Sequence, residues 1–134
     1  DASGLGLEAS CEAAPAAVAD DVGAGINVDV DGNTYVVGAF SGLMDVGNNI
    51  TLNAVDSDAY IVKLDPSGNT IWAKSYGGPG FDVLGAVKSL PDGSIYVSGV
   101  ISSPIDFGGG AVPHVGGLDG VMVHLDANGQ HLWS

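Results

Sequence analysis

The amino-acid sequence predicts an all-β fold built from two tandem, four-stranded antiparallel units of one 61-residue repeat. The first observation is the repeat itself, because LDPSGNTIW at residues 64–72 returns as LDANGQHLW at residues 125–133. The second is composition, since 22 glycines and 14% charged residues favour many tight turns over long solvated helices. The third is that residues 21–134 show no sustained helical period.

The repeat divides the chain into three parts. A shift of 61 residues aligns residues 21–73 with residues 82–134 without a gap, and 16 positions, including both tryptophans, are identical. We place the first unit at residues 21–81 and the second at 82–134, which we expect to be incomplete because it lacks a counterpart of KSYGG. Residues 1–20 match neither unit and, being rich in Ala and Gly, predict an irregular N-terminal arm or linker.

Each unit contains four short segments with strand composition. In the first unit they cover residues 23–30, 34–40, 58–64 and 70–76. In the second unit they cover residues 85–90, 94–101, 119–125 and 131 onward. Tight turns between such segments predict one antiparallel sheet in each unit.

The Asp and Gly residues shared by the two units mark the turns. In DPSG, Asp65 can hydrogen-bond back to the chain and Pro66 presets the φ of a type I turn, while Gly68 supplies a positive φ. DANG keeps Asp126 and Gly129 at the same offsets, and DVDG and LPDG follow the same logic. These residues are therefore interpreted first as turn chemistry.

The predicted strands are apolar on both faces. Side chains alternate along a strand, so Tyr35 points to one face and Val36 to the other, and neither face is polar. A sheet with one face in water would instead alternate apolar and polar residues. Sheets buried on both faces are typical of β-propeller blades, and Gly38 and Gly99 suit strands crowded near a propeller axis.

Two long motifs recur in both units. They read DGNTYVVGAFSG and SDAYIVKLDPSGNTIWAKSYGG in the first unit, and DGSIYVSGVISSPIDFGGG and LDGVMVHLDANGQHLW in the second. These motifs resemble the bacterial repeats called SBBP (seven-bladed β-propeller) repeats, and the resemblance covers residues 21–134. It implies β-propeller-like blades in a secreted or cell-surface bacterial protein.

The charge balance limits the classes of partner that the protein can bind. Three Lys, no Arg and 16 acidic residues give a formal net charge of −13, so no basic face is available for nucleic acid or an anionic membrane surface. No apolar run is long enough to span a bilayer. Cations, glycans and proteins remain compatible partners. The single Cys11 cannot form an internal disulfide, and its role stays open.

The sequence assigns no catalytic, cofactor-binding or metal-ligating residue. The best calcium candidate is DVDGN, with Asp29, Asp31 and Asn33, but it lacks the further oxygen ligands and closing carboxylate of a calcium loop. Turn chemistry is therefore favoured there, and calcium stays an alternative. Asp58 and Asp119 follow long loops, and we expect both to accept backbone N–H groups rather than to contact a ligand.

The aromatic and histidine residues are also interpreted structurally. We expect Trp72 and Trp133 to pack between blades rather than to form a stacking platform for a sugar, and only exposure would favour the platform. His114, His124 and His131 have no His counterparts in the first unit, so we do not expect a zinc site.

These features predict a non-enzymatic scaffold or binding module that assembles with further repeats or with other copies of the chain. Loops 41–57 and 102–118 are the expected ligand-facing surface, for a glycan or a protein. Two alternatives stay open: a structural subunit of an extracellular fibre, and a polysaccharide hydrolase or lyase with clustered carboxylates in a propeller funnel. Because two blades alone would expose apolar faces, we do not expect a lone two-blade monomer.

Overall fold

The computed structural model describes residues 20–134, and the regular elements in this range are all β-strands. They are β1 (Asp21–Val28), β2 (Thr34–Asp45), β3 (Thr51–Leu64), β4 (Thr70–Tyr76), β5 (Val83–Ser89), β6 (Ile95–Ile101), β7 (Ile105–Asp106), β8 (Ala111–Val112), β9 (Asp119–Leu125) and β10 (His131–Trp133). The all-β prediction is confirmed here, and no helix in this range is long and apolar enough to cross a membrane. The predicted arm, with Cys11, lies outside the described residues except for Asp20.

Eight strands form two four-stranded antiparallel sheets, which we call the first and second blades. The first blade has the order β1-β2-β3-β4, and the second has the order β5-β6-β9-β10. Strands β7 and β8 form a small separate hairpin between β6 and β9. Each blade therefore adds its strands in chain order from one edge to the other, as propeller blades do.

The turns follow the predicted chemistry. In the β3–β4 turn, Oδ1 of Asp65 accepts hydrogen bonds from the backbone N–H groups of Ser67 and Asn69, each at 2.9 Å. Asp126 accepts the equivalent pair in the β9–β10 turn. Gly68 has a φ of 85°, the left-handed conformation that glycine adopts without steric cost. The repeated Asp and Gly are thus explained by the turns that they build.

The segments predicted as long loops differ from that prediction. Strands β2 and β3 continue into residues 41–57, where Met44 pairs with Leu52 in an extended hairpin. The hairpin folds back onto its own sheet because Met44, Val46 and Leu52 bury their apolar side chains there. The prediction of a long loop at 41–57 is wrong for this reason, and the 102–118 segment contains the β7–β8 hairpin. The ligand-facing role of both segments stays a prediction.

Gly38 and Gly99 lie beside bulges in the first strand of each blade. The pairing register shifts once within β1 and once within β5. A Cβ on Gly38 would lie 1.8 Å from the carbonyl oxygen of Val22, and one on Gly99 would lie 1.9 Å from that of Val83. Both glycines are crowded by the bulged neighbouring strand of their own blade, whereas their place near a propeller axis stays a prediction.

Each blade has two apolar faces. In the first blade, we call the side that carries Tyr35, Val37, Ala59 and Ile61 the front face, and we call the opposite side the back face. The equivalent sides of the second blade have the same names. The front face of the first blade packs on the back face of the second blade and forms one shared core. Its buried second-blade members are Leu84, Ile95, Val97, Ile101, Val121, Val123 and Leu125. The shared core joins the two repeats at the junction between the blades.

Candidate functional site

The junction between the blades is built around Trp72 on the front face of the first blade. Its ring packs edge-on against Tyr35, with the ring centroids 6.3 Å apart. Its indole Nε1 donates to the carbonyl oxygen of Ala127 at 3.1 Å, and Nζ of Lys63 donates to the same oxygen at 3.1 Å. The ring also lies against Gly129, where an added Cβ would meet it at 3.1 Å. Trp72 therefore packs between blades, as predicted.

The front face of the second blade carries the repeat equivalents of these residues. Tyr96, His124 and Trp133 replace Tyr35, Lys63 and Trp72. Tyr96 lies 4.5 Å from the His124 ring and 5.6 Å from the Trp133 ring, centroid to centroid. The three rings therefore form one cluster on this face.

This face is open to solvent. Trp133 is 45% exposed and Met122, the equivalent of a buried isoleucine, is 51% exposed. A shallow cavity of about 310 Å³ adjoins the cluster and is lined in part by Lys88, Tyr96, Ser98 and Met122. Within residues 20–134 no further blade lies against Trp133, so the prediction that it packs between blades stays a prediction.

The open aromatic cluster can do two things chemically. Aromatic rings with exposed faces can stack on the apolar face of a sugar, and they can also pack against the turn of another blade. The observed junction is an example of the second use, since Trp72 and Lys63 contact a turn. His124 is hydrogen-bonded through Nε2 to Oγ of Ser94 at 2.9 Å, which fixes the ring within the face.

The DVDGN motif forms a turn in which the Asp29 carboxylate already accepts hydrogen bonds from the chain. Asp29 accepts from the backbone N–H groups of Asp31 and Asn33 at 2.9 Å and from the amide of Asn33 at 3.0 Å. Burial alone would raise the pKa of Asp29, but the Asn33 and Asp31 hydrogen bonds and the Lys63 charge outweigh it and lower the pKa. Lys63 also lines the adjoining cavity of about 230 Å³, where its positive charge disfavours the binding of a metal cation.

The three histidines lie at separate places. Nε2 of His114 contacts the carbonyl of Gly117 at 2.9 Å, and Nε2 of His131 contacts the hydroxyl of Ser134 at 3.0 Å, while His124 belongs to the aromatic cluster. Within the described part of the chain, no three or more His, Cys, Asp or Glu side chains are grouped closely enough to hold a metal ion.

A further cavity, of about 410 Å³, lies at the junction. Its lining includes Lys74 and Tyr76 of the first blade, Asp106 of the β7–β8 hairpin and His131 of the second blade. Asp106 uses Oδ1 to accept the backbone N–H groups of Gly108 and Gly110. Its carboxylate therefore supports the loop before β8 as well as facing the cavity.

Two carboxylates that were predicted to accept backbone hydrogen bonds do so. Asp58 accepts from the N–H of Val55 at 3.2 Å, and Asp119 accepts from the N–H of Val115. Asp82 was not singled out by sequence reasoning, although it is one of the identical repeat positions. It is fully buried, at 0% exposure, where the chain enters the second blade.

No family model matches this chain. The chain is 28% identical over 126 residues to an uncharacterized WD repeat-containing protein of Acanthamoeba polyphaga mimivirus, a match that covers 81% of this chain. The chain spans 9% of the length of that relative. WD repeats form four-stranded propeller blades, so this similarity and the two repeated blades support a repeat protein of the β-propeller type.

Proposed function

We propose that this chain forms two neighbouring blades of a larger β-propeller and acts as a non-enzymatic scaffold or binding module. The observation that carries the proposal is the contrast between Trp72 and Trp133. These residues are equivalent in the repeat, yet Trp72 packs on the neighbouring blade and Trp133 is 45% exposed. A further blade would cover the open face in the way that the second blade covers the first.

The first blade carries the complementary half of such a contact. In the junction, a Cβ on Gly129 would meet the ring of Trp72 at 3.1 Å, whereas a Cβ on the equivalent Gly68 would have nothing within 4 Å. A tryptophan from another unit can therefore lie on the Gly68 turn as Trp72 lies on Gly129. The two half-contacts lie on opposite sides of the pair, which favours head-to-tail assembly, and such an assembly forms a ring when the rotation between units closes.

Membership in the SBBP repeats, with an extracellular or cell-surface location in a bacterium, belongs to the same proposal. Its support is the resemblance of both units over residues 21–134. The net charge of −13 supports protein, glycan or cation partners over nucleic acid.

The non-enzymatic role is supported by how the carboxylates are used. Asp29, Asp65 and Asp126 hold turns, and Asp58 and Asp119 accept backbone N–H groups. Carboxylates engaged in this way stabilise the scaffold, and the open aromatic face and the junction cavity remain for a ligand.

Sedimentation measured over a wide concentration range tests the assembly. We expect species heavier than the 13.3 kDa chain, in proportions that rise with concentration. Trp133→Ala should shift the distribution toward the single chain, since it removes the ring that a partner turn would cover. Val55→Ala removes an apolar side chain that is exposed on the first-blade hairpin, and it should leave the distribution unchanged. A 13.3 kDa monomer at every concentration would contradict the proposal.

A glycan array combined with a reducing-sugar assay tests the absence of catalysis. We expect that any glycan retained by the protein is recovered intact after prolonged incubation. Release of reducing ends by the purified chain would instead support the hydrolase alternative.

A further inference from the structure

The linker between the blades passes two buried carboxylates. It leaves β4 through Gly77 and Gly78 and reaches Asp82 immediately before β5. Asp58 is 4% exposed and Asp82 is 0% exposed. A Cβ on Gly77 would lie 2.1 Å from the Asp58 carboxylate, and the N–H of Gly78 donates to Oδ2 of Asp82 at 3.2 Å. Both carboxylates therefore border the same glycine dipeptide.

Two buried oxygen atoms beside this dipeptide have no hydrogen-bond partner. They are Oδ1 of Asp58 and Oγ of Ser103. A Cβ on Gly78 would lie 2.8 Å from Oγ of Ser103, so this hydroxyl borders the dipeptide from the segment after β6. A buried carboxylate oxygen without a partner is costly, and native proteins compensate it with an ion, a water or a proton.

The negative charges beside the glycine dipeptide add to the free-energy cost of burying the two carboxylates. Burial raises the pKa of Asp82, the backbone N–H groups of Ser102 and Gly78 oppose the rise, and the negative charge of Asp58 adds to it. His114 lowers the pKa through its charge, but it does so least of these groups. Asp56, two residues before Asp58, accepts the N–H of Gly80 in the same linker and brings further negative charge. A bound cation would relieve this repulsion.

We propose that Asp58, Asp82 and Ser103 form a binding site for a divalent cation of the calcium class. Calcium accepts carboxylate, hydroxyl, carbonyl and water oxygens in irregular arrangements, which suits two carboxylates and a hydroxyl around a glycine linker. The donor set contains neither sulfur nor imidazole nitrogen, so it favours a hard cation over zinc. The cation would tie β3 of the first blade to the entry of β5 and the exit of β6.

The repeat extends this site to other junctions. Asp58 matches Asp119, and Asp82 matches Asp21, in the 61-residue alignment. In a larger propeller, Asp119 would meet the Asp82 equivalent of a following unit, giving one cation per junction. This extension rests on the proposed function, whereas the site between the two described blades does not.

Calorimetric titration of the EDTA-treated chain with CaCl₂, together with thermal melts, tests the site. We expect saturable binding near one Ca²⁺ per chain and a melting midpoint that rises with calcium and falls again with EDTA. Asp58→Asn should abolish both effects, since it removes the charge while it keeps an acceptor for Val55. Ser103→Ala should weaken binding several-fold, and it serves as a second test if Asp58→Asn fails to fold.

Asp126→Asn is the matched control, because it changes an Asp of a surface turn and should leave calcium binding unchanged. An equal effect of Asp126→Asn would overturn the proposal, since it would indicate diffuse attraction to an acidic protein. Absence of saturable calcium binding in the wild-type chain would also overturn it, and would leave a water or a shared proton as the partner of Asp58. Binding by a monomeric chain would support the site even if the proposed assembly failed.

Discussion

The indole nitrogen of Trp72 and the carbonyl oxygen of Ala127 are hydrogen-bonded at 3.1 Å across the junction between the two blades. Ala127 lies in the β9–β10 turn, and Lys63 donates to the same carbonyl. The junction thus combines apolar burial with two hydrogen bonds to one backbone oxygen. This arrangement fixes the register of one repeat against the next, which burial alone would not do.

The first prediction is that Trp72→Ala destabilises the chain by about 3 kcal/mol, at the low end of the cost of truncating a core tryptophan. The low end applies because Trp72 is partly rather than fully buried. Denaturant unfolding of the wild type and the variant measures the difference. A loss below about 0.5 kcal/mol would contradict the role of Trp72 in the junction.

Trp133→Ala is the matched control, since it makes the same substitution at the equivalent position. Under conditions where the chain is monomeric, we expect a change of less than about 1 kcal/mol, because Trp133 is 45% exposed and packs against Tyr96 and His124 of its own blade. Equal losses in both variants would mean that each ring stabilises its own blade rather than the junction.

Much of this fold was predictable because its determinants are local. Asp65 and Gly68 specify a turn through their own chemistry, and the alternating apolar residues specify strands buried on both faces. The 61-residue repeat then supplies the number of units. The difference between Trp72 and Trp133 was not predictable, because it depends on what lies next to each blade and the two residues are identical in sequence.

The second prediction concerns Gly38. Gly38→Ala should prevent folding or cost several kcal/mol, because its Cβ would lie 1.8 Å from the backbone oxygen of Val22. Gly120→Ala is the control, since a Cβ there would have nothing within 4 Å and the first blade has Ala59 at the equivalent position. Circular dichroism and thermal melts distinguish the two variants. A folded Gly38→Ala chain of wild-type stability would show that the bulge in β1 is not fixed.

The third prediction concerns the β9–β10 turn. Asp126→Ala removes the acceptor of two backbone N–H groups, those of Asn128 and Gln130, and should cost about 1 kcal/mol. Asp126→Asn keeps an acceptor oxygen and should lose less. Urea denaturation of the wild type and both variants gives their free energies of unfolding and ranks them. The reverse order would show that the charge of Asp126, and not its acceptor oxygen, stabilises the turn.

Sequence reasoning was least informative about residues whose role depends on distant contacts. Asp82 was visible as an identical repeat position, but its burial arises from Gly78 and Ser102, which approach it from two different segments. The 41–57 hairpin was missed because Gly47, Asn48 and Asn49, which lie between Met44 and Leu52, resemble a loop. The burial of Asp82 and the 41–57 hairpin both depend on contacts between residues distant in sequence, and a local sequence pattern does not predict such contacts.

The fourth prediction is a loss of stability above pH 10 that is caused by Tyr76. Burial beside Phe107, at a ring distance of 4.8 Å, raises the pKa of Tyr76 to about 12. An unfolded tyrosine ionises near pH 10, so between about pH 10 and 12 the unfolded chain releases a proton that the folded chain keeps. The free energy of unfolding should therefore decrease as the pH rises through this window, by up to about 1 kcal/mol per pH unit, and Tyr76 should contribute no slope below it.

Tyr76→Phe removes a buried hydroxyl that has no hydrogen-bond partner, so we expect it to preserve stability at pH 7 and to reduce the alkaline slope. Because the two proteins differ only at position 76, the difference between the two pH profiles isolates Tyr76. Parallel profiles above pH 10 would show that Tyr76 ionises as readily in the folded chain as in the unfolded one, and would contradict its burial at the junction.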